Sequence, residues 1–137
     1  MTIHDTLAKL ESVRENLMQN VAFTYKKCHE DATGMWAKEL TFSLPKNTKE
    51  LCLWGEQLKN CLCSYGDAIH LGRSTIYGIF NHQKLIFAIE LDSDNEIIQS
   101  STFHNKALND KDKEILLSWH QKYFAKKHSI KINNFKE

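Results

Sequence analysis

Apolar and polar positions follow two different periods in the first third of the chain. Apolar residues recur at steps of three and four from Ile3 to Cys28, with charged and amide side chains between them, and this pattern predicts a long amphipathic helix over 3–30. Between Leu40 and Leu44 the apolar residues alternate with Thr and Ser, which is typical of a half-buried strand. Pro45 ends that strand because it lacks a backbone donor.

Helical spacing returns in the segment that follows. Asn47 or Thr48 is predicted to cap a helix whose apolar face consists of Leu51, Trp54 and Leu58. Residues 60–71 predict a second short helix, closed by Gly72. We therefore expect the chain to turn at Asn60 and Cys61.

Three runs rich in β-branched and aromatic residues come next, at 76–80, 85–91 and 96–99. They are separated by polar segments short enough for tight turns, so the pattern predicts an antiparallel meander of three to four strands. The run 85–91 is apolar on both faces, which makes it the candidate central strand, with helices packed on at least one side.

A last helix is predicted from a cap at Asn109 or Asp110. Its apolar face consists of Ile115, Leu116, Trp119, Tyr123 and Phe124. Lys122, Lys126 and Lys127 fall in its final turns, where the helix dipole favours cations. The fold class is thus α+β, as one domain over 1–137 with the N-terminal helix 3–30, a core at 40–127 and a short tail at 128–137.

Composition narrows the class of protein. A chain of 137 residues with 42% hydrophobic residues can bury one core, and its net charge of +1 gives no strong overall field toward nucleic acid or lipid. The N-terminus lacks a secretory pattern, and no window reaches the roughly 18 apolar residues of a membrane helix. We therefore expect a cytoplasmic protein, without a membrane partner, whose four cysteines are thiols.

The stretch from Leu44 to Asn105 resembles the PcfJ-like family found on conjugative plasmids, phages and integrated mobile elements. The residues that carry the resemblance are Leu44-Pro45, Glu50-Leu51, Gly55, Leu58, the run Asn60 to Tyr65, Ile69, Gly72, Ile76, Ile98-Gln99 and Asn105. The family pattern falls on Cys61, Tyr65, Gly72, Gln99 and Asn105, whereas Asn60 stands where the family often has His. The resemblance implies the fold and a mobile-element context, and it transfers no activity.

Cysteine chemistry is one hypothesis for the function. Cys61 lies where a new helix is predicted to begin, and a helix N-terminus stabilises a thiolate. His104 and Asn105 follow the third β-rich run, and a Cys, a His and an amide are the groups of a thiol hydrolase or acyltransferase. The opposing interpretation is that Cys61 is a buried core residue and His104 a surface residue.

A zinc site is the second hypothesis, since four donors lie close together in the sequence: Cys52, Cys61, Cys63 and His70. The spacing is not that of a CxxC pair, and Cys52 lies between two leucines, so reduced thiols are preferred and no metal or cofactor is predicted. The other histidines, His29 among them, show no ligand spacing and are predicted to be exposed or half-buried.

Nucleic-acid binding is the third hypothesis, through the basic helix face of Lys122, Lys126 and Lys127, with Lys59, Arg73 and Tyr77 as a second surface. The opposing interpretation is a solvated face that complements the helix dipole.

These patterns favour a small interaction module, encoded by a mobile element, that binds a protein or nucleic-acid partner through the meander edge and the basic helix. The long first helix could pair with a second copy as a homodimer. The enzyme alternative is a cysteine-dependent hydrolase or transferase using Cys61 and His104. A third alternative is a polar pocket that recognises a small ligand, formed by Cys61, Tyr65, Arg73, Gln99 and Asn105.

Overall fold

A computed structural model describes residues 20–37 and 39–124, in which short helices alternate with the strands of one sheet. The helices in this part of the chain are α1 (Lys27–Asp31), α2 (Thr48–Leu58), α3 (Gly66–His70) and α4 (Asp110–Tyr123). The strands are β1 (Gly34–Trp36), β2 (Leu40–Ser43), β3 (Thr75–Asn81), β4 (Lys84–Leu91) and β5 (Ile97–Ser101). Two 3₁₀ turns follow α2 and β5, at Leu62–Tyr65 and Phe103–Asn105.

The sheet is antiparallel throughout, and its five strands lie in the order β1-β2-β3-β4-β5. The α+β class and the meander are confirmed, but the predicted three to four strands were too few. The extra strand β1 has only three residues and forms by pairing with β2, where Gly34 lies opposite Phe42. A run of three residues is too short to show the alternation of apolar and polar positions that predicts a strand. The middle strand is β3, and β4 is interior beside it.

The predicted N-terminal helix is wrong for residues 20–26, and its residues 3–19 lie outside the described part of the chain. Val21, Phe23 and Tyr25 alternate with exposed neighbours, so the segment also fits a period of two. It runs beside the segment before α2: the Phe23 amide donates to the Lys46 carbonyl at 2.9 Å, and the Thr48 amide donates to the Val21 carbonyl at 3.0 Å. From residue 20 onward, the first helix in the described part of the chain is α1.

One face of the sheet packs against α4. Trp119 is fully buried, and its indole stacks on Phe42 with ring centroids 4.3 Å apart. The indole N–H donates to the carbonyl of Ala32 at 2.9 Å, which ties the segment after α1 to the same helix. The side chains of this cluster that come from β3 and β4 are Tyr77, Ile79, Phe87, Ile89 and Leu91.

The opposite face packs against α2, the first 3₁₀ turn and α3. The buried side chains there are Leu51, Trp54, Leu58, Leu62 and Ile69, together with Ile76 and Ala88 from the sheet. Helices on both faces explain why the run 85–91 is apolar on both sides, and they confirm the predicted helical cover.

Both predicted helix caps are asparagines. The Asn47 side chain accepts from the Glu50 amide at 2.9 Å, and the Asn109 side chain accepts from the Asp112 amide at 2.7 Å. The short helix predicted at 60–71 is a 3₁₀ turn followed by α3. Lys122 lies in the last turn of α4, whereas Lys126, Lys127 and the tail 128–137 lie outside the described residues. Within the described ranges, no helix is both long and apolar enough to cross a bilayer.

Candidate functional site at the sheet edge

A cavity of about 40 Å³ lies between the first 3₁₀ turn and the β5 side of the sheet. Three parts of the chain line it. The residues are Asn60, Cys61, Leu62 and Tyr65 from the turn, Ile76, Ala88, Ile89 and Glu90 from β3 and β4, and Gln99, Ser100, Ser101 and Asn105 from β5 and the loop after it. Residues up to 45 positions apart in sequence therefore meet at one place.

The turn packs closely against α2 because this helix ends abruptly and carries a glycine at the contact. Lys59 adopts the left-handed conformation (φ 57°) and terminates α2. A Cβ on Gly55 would lie 3.3 Å from the Asn60 carbonyl oxygen and 3.3 Å from the Leu62 amide nitrogen. The Asn60 amide also donates to the Gly55 carbonyl at 3.0 Å, so the turn is held directly against the helix.

A disulfide between Cys52 and Cys63 fastens the same turn to α2, with the two Cα atoms 4.2 Å apart. The prediction that all four cysteines are thiols was wrong for this pair, because the turn brings Cys63 back beside the middle of the helix. Cys28 and Cys61 are free and exposed. Since two of the four suggested zinc donors are bonded to each other, the set Cys52, Cys61, Cys63 and His70 cannot hold a metal in this form.

Glu90 is the charged residue among those that line the cavity, and only 5% of its surface is exposed. It projects from β4 toward the side covered by α2, as Ala88 does. Ser74 Oγ donates to Glu90 Oε2 at 2.5 Å, and Gln99 Nε2 donates to Glu90 Oε1 at 2.6 Å. Gln99 can reach because it lies directly opposite Glu90 in the pairing of β4 with β5.

The Gln99 amide joins the sheet to the turn. Its nitrogen also donates to the hydroxyl oxygen of Tyr65 at 2.7 Å. Ser74, Glu90, Gln99 and Tyr65 therefore form one continuous polar chain that runs from the residue before β3, through β4 and β5, to the first 3₁₀ turn. Such a chain holds the cavity wall in a fixed arrangement because each member restrains the next.

The profile of a protein family described as PcfJ-like protein matches residues 1–116, which includes every residue that lines the cavity. The chain belongs to the PcfJ-like family. A search of curated proteins found no match, and a search of solved structures found none either.

Four of the residues picked out by the PcfJ-like pattern line the cavity together, namely Cys61, Tyr65, Gln99 and Asn105. Two other predicted residues do not line it. His104 is exposed in the second 3₁₀ turn, with its ring 4.2 Å from that of Phe103. Arg73 is exposed after α3. No hydrogen bond joins Cys61 to His104 within residues 20–37 and 39–124.

Sequence reasoning missed Glu90 and Ser74 in this PcfJ-like chain. The sequence does carry a signal for Glu90. It is the one charged residue in the run 85–91, and every other residue of that run is apolar. A buried strand excludes a carboxyl group unless partners compensate it. Ser74 had no comparable signal, since a serine before a strand is common in loops.

Proposed function

We propose that this PcfJ-like chain is a non-enzymatic interaction module that binds a protein partner by adding a strand of that partner to β5. The observation that carries the proposal is the position of β5: within the described ranges it pairs with β4 alone, and it also lines the cavity. An edge strand presents unpaired N–H and C=O groups, and a peptide strand can satisfy them.

The side chains around this edge support a peptide partner. Ile98 on β5 is 53% exposed, and Phe103 just after it is 47% exposed. Apolar side chains on an open strand edge are a liability unless something covers them. The cavity adds selectivity, because alternate side chains of an added strand point to one face of the sheet and one of them can enter it.

A nucleic-acid partner is the less favoured form of the proposal. Of the three lysines predicted to bind phosphates, Lys122 lies on α4, which covers the face of the sheet opposite the cavity. Lys126 and Lys127 lie outside the described residues. The apolar groups and free backbone edge at β5 suit a peptide better than a phosphate backbone.

Family membership supports a source on a conjugative plasmid, phage or other mobile element. A cytoplasmic location is part of the proposal, and the exposed free thiols of Cys28 and Cys61 support it. The Cys52–Cys63 bond is the observation against it, because disulfides are rare in that compartment.

A homodimer is a further proposal, either through residues 3–19 or through pairing of two β5 edges. Light scattering of the full chain separates monomer from dimer.

A selection from a displayed library of random peptides tests strand addition. We expect enriched peptides with β-forming residues, and we expect Ile98→Lys to weaken their binding at least about tenfold because a lysine on the edge opposes pairing. Leu117→Lys is the matched control: Leu117 is 54% exposed on α4, and its replacement should change affinity less than about twofold. Fluorescence anisotropy measures both.

Three outcomes would replace the proposal. An equal loss of peptide affinity in Ile98→Lys and Leu117→Lys would show that β5 is not the binding edge. Binding of an oligonucleotide that is lost when Lys122, Lys126 and Lys127 are changed to Ala would assign a nucleic-acid partner instead. If the chain cleaves a bound peptide and Cys61→Ser abolishes this cleavage, the function would instead be that of a cysteine-dependent hydrolase. The observation that supports this alternative is that the exposed Cys61 lines the cavity together with Asn105.

A further inference from the structure

Glu90 places a carboxyl group in the cavity wall without a cationic partner. Both of its oxygens accept hydrogen bonds, one from Ser74 and one from Gln99, and both donors are neutral. Among the residues described, the ion pairs join other side chains, and none involves Glu90. A carboxylate has about four lone-pair positions, so two remain for a guest. Burial makes those positions attractive to a positive charge, because the carboxylate has lost its water.

The amide nitrogen of Gln99, which contacts Glu90, has no proton left for a guest. Gln99 uses one amide proton on Glu90 and the other on the Tyr65 hydroxyl. Because a carboxylate oxygen only accepts, the nitrogen of Gln99 must face Glu90, and the remaining Gln99 group is an acceptor. Glu90 and Gln99 therefore offer acceptors rather than donors, and this favours a guest that carries N–H or O–H donors.

Size limits the guest further. A cavity of about 40 Å³, with apolar walls from Leu62, Ile76 and Ala88, holds one or two heavy atoms. A primary ammonium carries three N–H donors and a full charge on one nitrogen. A guanidinium spreads its donors over a plane of four heavy atoms, and a quaternary ammonium has no N–H at all.

We propose that the cavity beside Glu90 is a binding site for a primary ammonium group. This inference rests on the proposed function, in which the group is either a lysine side chain or the amino terminus of the strand added to β5. The carboxylate supplies the charge, and Gln99 and Tyr65 hold it in place.

Titration of the full-length, ¹⁵N-labelled chain with n-butylammonium chloride tests the site, with the side-chain amide of Gln99 as the reporter. We expect a saturable shift that tetramethylammonium chloride does not produce at the same ionic strength. Glu90→Gln should weaken butylammonium binding at least about tenfold, since it removes a charge-assisted hydrogen bond. Asp67→Asn is the matched control, because it removes the same charge from an exposed residue of α3 that does not line the cavity.

Tyr65→Phe provides a second variant should Glu90→Gln fail to fold. It removes the hydroxyl that holds Gln99, so it should weaken butylammonium binding by several-fold and shift the free Gln99 amide signal. N-acetyl-lysine amide and glycine amide then distinguish the two sources: stronger binding of the first indicates a lysine side chain, and stronger binding of the second indicates an amino terminus.

An equal shift with tetramethylammonium, or an equal loss in Asp67→Asn and Glu90→Gln, would overturn the ammonium site. The proposed function fails by a different result, namely selected peptides whose binding does not depend on Ile98. Peptides that need Ile98 while butylammonium does not bind would thus leave strand addition standing and remove the ammonium site alone.

Discussion

Gly78 lies under the indole ring of Trp54, where any side chain would collide. A Cβ at this position would lie 2.7 Å from Trp54 Cζ3 and 2.9 Å from Trp54 Cε3. The indole is 5% exposed and packs edge-on against Phe80, with centroids 5.5 Å apart, so it has little freedom to move away. This one residue therefore sets how closely α2 approaches the sheet, and with it the position of the turn that carries Cys61.

We predict that Gly78→Ala lowers the free energy of unfolding by about 1–3 kcal/mol, the cost of overpacking a filled core. Gly66→Ala is the control at the start of α3. Its Cβ would meet only Thr48 Cγ2 at 3.7 Å, and its φ of −54° is helical, so this variant should be neutral or more stable by up to about 1 kcal/mol. Urea unfolding measures both, and equal midpoints would contradict the prediction.

At the residue scale, the sequence identified those site residues that belong to the family pattern. It missed the residues that reach the site only through the pairing of strands. Cys61, Tyr65, Gln99 and Asn105 could be named from the pattern. Glu90 could not be placed beside Gln99 without the register of β4 against β5, which depends on contacts between distant residues. His104 was expected at the site because it follows the third β-rich run and could serve with Cys61 in a thiol hydrolase, but its backbone turns at φ 59° and its ring lies against Phe103.

At the scale of elements, the Cys52–Cys63 bond joins α2 to the turn that forms one wall of the cavity. The bond spans a sequence separation of 11 residues. Closing a loop of that length removes conformations from the unfolded chain, which corresponds to about 2–3 kcal/mol of stability. The same bond restrains Tyr65, whose hydroxyl holds the Gln99 amide.

Reduction by a dithiol should therefore lower the free energy of unfolding by up to about 3 kcal/mol. Cys61→Ser should keep this dependence on the reductant, because Cys61 is free, whereas a double replacement of Cys52 and Cys63 by Ala should abolish it. Urea midpoints with and without the dithiol test this. Identical midpoints for the unmodified chain would show that the bond contributes nothing to stability.

Elements with local signals could be predicted, and elements that depend on a distant partner could not. The helices α2 and α4 carry an asparagine cap and a clear apolar face, and the strands β2 to β5 carry β-forming runs between turns. Residues 21–25 satisfy helical and strand periods alike. Their backbone partners at Lys46 and Thr48 decide between the two, and no local pattern reveals that pairing.

At the scale of the whole molecule, two phenols, the half-buried Tyr25 and the fully buried Tyr77, tie the segments around α1 to the rest of the fold. Tyr25 donates to the Pro45 carbonyl at 2.6 Å, and Tyr77, from the middle strand, donates to the His29 carbonyl at 2.7 Å. His29 is itself buried at 7% exposure, although it was predicted to be exposed or half-buried. Burial, above all, raises the pKa of both phenols well above the value of about 10 for free tyrosine.

These shifts make the fold sensitive to alkaline pH. A phenol whose pKa is raised by folding stays protonated in the native state while it ionises in the unfolded chain, so its contribution to stability is complete below pH of about 10 and falls above it. Each such phenol adds a slope of about 1.4 kcal/mol per pH unit. We therefore predict that the free energy of unfolding decreases steeply as pH rises beyond this value.

Tyr77→Phe should reduce this alkaline slope by about 1.4 kcal/mol per pH unit, because it removes one of the two phenols. Ile79→Val, on the same strand and equally buried, should lower stability at every pH by about 1 kcal/mol without changing the slope. Urea unfolding followed by circular dichroism across the alkaline range measures both quantities. A Tyr77→Phe slope equal to that of the unmodified chain would mean that this phenol ionises in the folded protein, and that the contact between Tyr77 and His29 does not keep it protonated.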